Sequence, residues 1–274
     1  MNLTAYLKRI GFTGSTIPPP TLDTLKELHY LHTQTIPFEN LDSILGHTVS
    51  LNLEDLENKL VQQKRGGYCY EQNLLFVNIL KEIGYKNVNP LSARVFWIER
   101  PGFIPPSSHL LLSVDVDDTT YLADVGFGLA PFSGPMRMVL DEEQDLPLHK
   151  MRLVDVQGQE VFGYSDYLVQ TFFKGAWKNV YAFRTYPVME IDVEVYNYYM
   201  STNSNSMFTC KFIGAILGPH HTTTMSDRVM NIRYLDGREE NHQLAPEEVR
   251  EKLQSQFGIE MPESIDLTSV FARF

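Results

Sequence analysis

The sequence predicts an α+β protein whose helices and strands are largely segregated along the chain. Apolar residues keep a helical spacing from Met1 to about Tyr85. From about Val88 to Thr185 the segments become short, alternating and turn-bounded, as strands are. The remainder mixes the two patterns. These changes of character divide the chain into parts at 1–86, 87–188 and 189–274.

In the first part, Leu22, Leu25, Leu28, His29 and Leu31 suit one amphipathic helix that the Ile36-Pro37 pair ends. Leu53, Leu56 and Leu60 suit a second. A third begins near Cys69 and stops at Gly84, a C-cap position after Lys81 and Glu82. Strands are expected at Leu91–Ile98, His109–Val116, Thr120–Val125, Met151–Val156, Tyr167–Phe173 and Trp177–Phe183, with turns at Asp117-Asp118, Gln157-Gly158 and Lys174-Gly175-Ala176. Glu99–Ser108, with three prolines and a glycine, reads as an irregular loop. Further on, Ile191–Met200 reads as a helix, Phe208–Ala215 and Arg228–Tyr234 as strands, and Asp236-Gly237 as a tight turn. Pro246 and Gly258 bracket a last helix in the usual proline-first, glycine-last order.

A formal charge of −11 argues against nucleic acid or an anionic membrane as partner, since both demand clustered Lys and Arg. No apolar stretch approaches the ~18 residues of a membrane span, and the N-terminus lacks the apolar core of a signal peptide. Two cysteines, Cys69 and Cys210, make no disulfide framework. The expectation is a cytoplasmic protein with reduced thiols. Metal ligation is not expected: His29-x-x-His32 has no third ligand nearby and suits helix packing, no C-x-x-C occurs, and His220-His221 reads as exposed.

The stretch carrying most chemistry is Arg65-Gly66-Gly67-Tyr68-Cys69-Tyr70-Glu71-Gln72-Asn73. A lone cysteine is ordinarily a small buried hydrophobe. Here two glycines precede it and a helix follows at once, so its sulfur lies at a helix N-terminus, where partial positive charge favours the nucleophilic thiolate. A cysteine nucleophile needs a base, and the base an orienting partner. Among eight histidines, His109 stands out because it opens a strand directly after the proline-rich loop. If Asp117-Asp118 is a two-residue turn, Leu111 faces Asp124, and His109 and Asp124 become diagonal neighbours on one face, with Cα atoms about 7–8 Å apart. A four-residue turn keeps that parity at longer range; an odd one breaks it.

Together with Ile36-Pro37-Phe38-Glu39-Asn40-Leu41, Asp124-Val125-Gly126-Phe127-Gly128 and Ser201-Thr202…Ser206-Met207-Phe208, these residues resemble the arylamine N-acetyltransferase family, and its bacterial members in length. The resemblance implies a helical bundle, a central β-barrel and an α/β lid around a cysteine-protease-like core. It implies ping-pong transfer of acetyl from acetyl-coenzyme A through Cys69 to an aromatic amine, hydrazine or N-hydroxyarylamine. His109 and Asp124 would complete the triad. By the same resemblance Phe38, Val95, Ser108 and Phe127 line the acceptor pocket, Tyr199, Asn205 and Ser206 lie near the coenzyme, and Glu39 and Arg65 form an ion pair beside the site. One oxyanion donor is expected from the backbone N–H of Cys69. The sequence demands no oligomer.

Two other readings share these residues. A papain- or transglutaminase-like hydrolase has the same order of cysteine, histidine and carboxylate, and a redox or small-molecule sensor would keep the scaffold without turnover. A hydrolase of peptides leaves Cys69 unmodified by acetyl-coenzyme A, and a sensor has an ordinary thiol.

Overall fold

A computed structural model describes residues 1–14, 17–128 and 132–274. The first helices are α1 (Leu3–Arg9) and α2 (Leu22–Thr35), each started by a side-chain cap: Asn2 accepts the Ala5 N–H and Thr21 accepts the Thr24 N–H. Ile36 closes α2, as the following proline requires. The short strand β1 (Phe38–Glu39) and helix α3 (Leu41–Ile44) follow. The expected helix over Leu53–Leu60 is present as α4 (Leu53–Leu56), which loosens into a π-helical stretch at Glu57–Gln62. Helix α5 runs Cys69–Ile83 and ends on Gly84 at φ +111, a left-handed position that favours glycine.

The middle of the chain forms one antiparallel sheet, β2 (Val88–Val95), β3 (Ser107–Val116), β4 (Thr119–Ala123), β5 (Met136–Arg137), β6 (Gln144–Asp145), β7 (Lys150–Asp155), β8 (Tyr167–Phe173) and β9 (Ala176–Phe183). Its strand order, β5-β4-β3-β2-β9-β8-β7-β6, curls into a nearly closed barrel, with Leu140 beyond β5 bridging to Leu153 of β7. Asp117-Asp118 is the two-residue turn: Val116 pairs Thr119 and Leu112 pairs Ala123, the register that sets Leu111 against Asp124.

The third part contains α6 (Glu190–Thr202), α7 (Met207–Cys210), strands β10 (Ile213–Leu217), β11 (His221–Ser226), β12 (Val229–Tyr234) and β13 (Glu239–Gln243), and helices α8 (Val249–Phe257) and α9 (Leu267–Phe271). The strand expected at Phe208–Ala215 therefore begins only at Ile213 and runs on to Leu217. Ser206 accepts the Phe208 N–H, and Asn40 donates to the carbonyls of Phe208 and Lys211, so this backbone bonds locally as a helical turn. Pro246–Glu248 makes a 3₁₀ turn into α8, and Gly258 ends it.

Packing joins the three parts. Tyr6, Leu25, Leu28, Phe76 and Leu80 of α1, α2 and α5 bury against Leu112 and Val114 on the outer face of the barrel. Leu111 and Leu122 point the other way, into a barrel interior shared with Phe127, Val169 and Tyr181. His109 and Asp124 share parity with Leu111 and Leu122, so both face inward. Strand β1 pairs with β10 on one side and bridges Gly67 on the other. No helix among the described residues is long and apolar enough to cross a membrane.

Where the barrel meets α5 the backbones nearly touch: a Cβ on Gly126 would lie 2.7 Å from the Cys69 Cα. Gly126→Ala is accordingly expected to cost about 1–3 kcal/mol in denaturant unfolding. Gly134→Ala, whose methyl would meet only Pro147 Cδ at 3.6 Å, should stay within about 0.5 kcal/mol of the parent. Equal stabilities would contradict this packing.

Candidate active site

Cys69 is the first residue of α5 and is buried. Its thiol donates toward the Ser108 carbonyl at 3.8 Å. That carbonyl is offered because β3 slips by one residue opposite Ala93–Arg94, leaving Ser108 as the extra residue of a bulge. His109 follows, its imidazole near enough to Cys69 for the two to interact electrostatically. Its Nε2 lies 2.7 Å from Asp124 Oδ2, leaving Nδ1 for the sulfur side. The three residues come from α5, β3 and the end of β4.

The electrostatics follow from burial against pairing. Burial disfavours a charged imidazole, but the adjoining Asp124 carboxylate outweighs it and lifts His109 to about 10. Asp124 is fully buried yet held below the usual carboxylate range, by His109 and by hydrogen bonds from Asn73 and the Gly126 N–H. Two further histidines lie behind the site. His29 accepts the Asp124 backbone N–H at 3.2 Å, and burial pushes it down to about 4. His32 is pushed down to about 3 by burial and bridges the Tyr6 hydroxyl to the Gln72 Oε1, 2.8 Å on each side. Gln72 passes the chain on to the Gly67 carbonyl at 2.9 Å. The H-x-x-H pair is thus a buried hydrogen-bonding element of the helix packing.

Beneath the loop that leads into Cys69 lies a second charged layer. Arg65 meets Glu39 Oε1 through Nε at 2.9 Å and Nη2 at 2.7 Å, and Asp42 at 3.1 Å. Lys59 meets Asp42 at 2.5 Å and Glu71 at 2.6 Å. Glu71 Oε2 accepts the Tyr68 N–H at 2.9 Å, fixing the residue just before Cys69. Burial raises Glu71 to about 7 even with Lys59 beside it.

Of the expected acceptor residues, Phe127 stands edge-on to His109 at 5.2 Å, and Val95 packs into the same barrel cluster. Phe38 joins Cys69, Tyr68 and Phe208 in a separate apolar cluster, its ring 5.9 Å from that of Phe208. Ser108 is the bulge residue. Of the expected coenzyme residues, Tyr199 and Asn205 are exposed, whereas the Ser206 hydroxyl is spent on the Met200 carbonyl and the Phe208 N–H. A groove of about 600 Å³ lies elsewhere, between the β8–β9 turn and β11–β13, lined by Trp97, His149, Phe173, Lys174, His221, Arg233 and Glu239 among others. His220 is exposed, but its neighbour His221 is half-buried in this groove. Trp97 links it to the site, 6.4 Å from Phe127 between ring centres. No cluster of His, Cys, Asp and Glu able to hold a metal occurs among the described residues.

The family model described as N-acetyltransferase matches residues 21–265. The chain is 35% identical over 264 residues to the arylamine N-acetyltransferase of Mycobacterium tuberculosis, covering 94% of this chain and 89% of that one. It belongs to the arylamine N-acetyltransferase family. The Escherichia coli enzyme is 35% identical over 206 residues, 75% of this chain and 69% of that one. Among solved structures, the Mycobacterium marinum enzyme in complex with CoA superposes with a TM-score of 0.91 at 32% identity, covering 99% of both chains. Acetyl-coenzyme A is the family's co-substrate.

Sequence reasoning missed the residues behind Cys69, His109 and Asp124: Asn73, Gln72, Lys59, Asp42 and Tyr181, and it placed His29 in the helix packing without its bond to the Asp124 N–H. For Asn73 a signal existed, its four-residue spacing from Cys69 on one helix face. The others meet only through tertiary packing.

The His109 charge supports the fold below its ordinary value of about 6.5 and is lost as pH rises through about 10. Histidine-selective NMR at pH 8 should show His109 protonated, with His29 and His32 neutral down to pH 5. A His109 resonance titrating near 6.5 would contradict the ion pair.

Proposed function

We propose that the chain transfers acetyl from acetyl-coenzyme A to aromatic amines, hydrazines or N-hydroxyarylamines by a ping-pong route through a thioester on Cys69. The observation that carries this is the buried thiol, imidazole and carboxylate meeting at the first residue of α5. The thiol proton already resides on His109 in the resting pair, and the sulfur attacks the donor's carbonyl. As the first helical residue, Cys69 has a backbone N–H with no carbonyl one turn back, which leaves it for the developing oxyanion. Collapse returns the proton to the departing coenzyme A sulfur. The acceptor nitrogen then attacks the acetyl–Cys69 thioester, loses a proton to His109 and releases the thiolate. Asp124 fixes the tautomer and balances the imidazolium.

The environment suits this chemistry. The thiol is 2% exposed, and Phe38 and Phe127 offer apolar walls to a weakly basic aromatic amine that attacks unprotonated. For the donor's phosphates, the groove beside Trp97 supplies Lys174 and Arg233, with Lys178 4.0 Å over the Trp97 ring. Glu239 already bonds both, at 3.1 Å to Lys174 and 2.8 Å to Arg233, so phosphate would share them with a carboxylate. Tyr199 and Asn205 remain available to the donor from α6 and the loop after it. We assign catalysis to parts 1–86 and 87–188, the lid to 189–274, and the protein to the cytoplasm.

Initial rates against both substrates should give parallel double-reciprocal lines, and Cys69→Ser should abolish turnover while unfolding like the parent. Intersecting lines, or an active serine variant, would refute the route. Replacing Arg233 and Lys174 together with alanine should raise KM for acetyl-coenzyme A by roughly tenfold, about 1.4 kcal/mol in all because both cations are exposed and shared with Glu239, with kcat little changed. An unchanged KM would place the phosphates elsewhere.

A further inference from the structure

Asn73 lies four residues after Cys69, so the two share a face of α5. It is fully buried, and each of its polar atoms is used. Nδ2 donates to the Leu110 carbonyl at 2.7 Å and to Asp124 Oδ1 at 3.1 Å, while Oδ1 accepts the Val125 N–H at 3.1 Å. One side chain thus holds the strand that carries His109, the carboxylate that orients it and the residue after that carboxylate.

Asp124 shows what this does. Oδ1 accepts from Asn73 and from the Gly126 N–H at 3.0 Å, which leaves Oδ2 for His109 at 2.7 Å. The other groups facing Asp124 are His109 from β3, His29 from α2 and the Tyr181 hydroxyl from β9. His29 reaches only the backbone N–H and is neutral above about 4. Tyr181 finds no partner of hydrogen-bond geometry for its hydroxyl, although that hydroxyl lies close enough to the carboxylate to be affected by it. Among the described residues, Asn73 and Gly126 are therefore the non-titrating donors to this carboxylate.

We propose that Asn73 is a positioning residue for the transfer: it selects the Asp124 oxygen that faces His109 and holds the helix bearing the thiol in register with the hairpin bearing the imidazole. This rests on the triad roles given above. A purely structural asparagine would affect stability but leave the chemistry of each folded molecule intact. A positioning one changes how Cys69 reactivity depends on pH.

The test uses the full chain with Asn73→Ala and the isosteric Asn73→Asp, measuring Cys69 alkylation by iodoacetamide from pH 5 to 10 alongside acetyl loading from acetyl-coenzyme A. The parent should alkylate at a rate nearly independent of pH between 6 and 9. Asn73→Ala should rise at least tenfold over that range, and its loading rate should fall at least tenfold with KM for acetyl-coenzyme A within about threefold. Asn73→Asp sets a second carboxyl against Asp124, and its profile should gain a step as the carboxyl pair exchanges a proton. A folded variant with the parental profile and loading within twofold overturns the proposal. So does failure of both variants to unfold cooperatively, which would assign Asn73 to the fold alone. A shifted profile in a chain whose parent takes no acetyl would instead sink the acetyl-transfer reading and leave the positioning role standing.

Discussion

The rest of the site depends on keeping an imidazole charged where there is almost no water. An isolated buried ion costs several kcal/mol, and a buried pair recovers this only when the remaining lone pairs and protons are bonded. Here the pair is His109 and Asp124. The second carboxylate oxygen is filled by Asn73 and Gly126, and the Asp124 N–H is filled by His29. Phe127 and Tyr181, with ring centres 5.2 and 5.0 Å from His109, close the barrel side. The neutral state of His29 belongs to the same design, since its Nε2 can accept from Asp124 only while it carries no proton.

The thiol must reach this pair from another part of the chain, and a second charged layer makes that possible. Glu39, Arg65, Asp42, Lys59 and Glu71 alternate in sign beneath the loop before Cys69. The loop itself runs beside β1, with Glu39 N–H donating to the Gly67 carbonyl at 3.1 Å and Gly67 N–H to the Pro37 carbonyl at 3.3 Å. Side chains at 66 and 67 would collide with the Pro37 carbonyl and with Glu71 Oε2, so the glycine pair serves close approach rather than turning. Because β1 also pairs with β10, one short strand ties the loop before Cys69 to the third part of the molecule.

Much of this was legible in the sequence because it rests on local rules. The Asp117-Asp118 turn fixes the β3–β4 register, and the register alone sets His109 and Asp124 on one face. Proline and glycine mark the ends of α2, α5 and α8. What stayed hidden depends on distant partners. The Met207–Cys210 turn is made by Ser206 and Asn40 claiming backbone groups of an apolar run that reads as strand. β13 pairs with β12 although every residue in it is exposed, so it carries no apolar alternation to read. The Lys59 and Asp42 charges look like solvated surface until folding brings them under the loop.

The proposed route requires Cys69 to carry the acetyl group between donor and acceptor. Intact-protein mass spectrometry after brief mixing with acetyl-coenzyme A, without acceptor, tests it most directly, with Cys69→Ser alongside. One acetyl group is expected on the parent, none on the variant, and its discharge by an aromatic amine. A parent that stays unmodified while its thiol remains open to alkylation would contradict it.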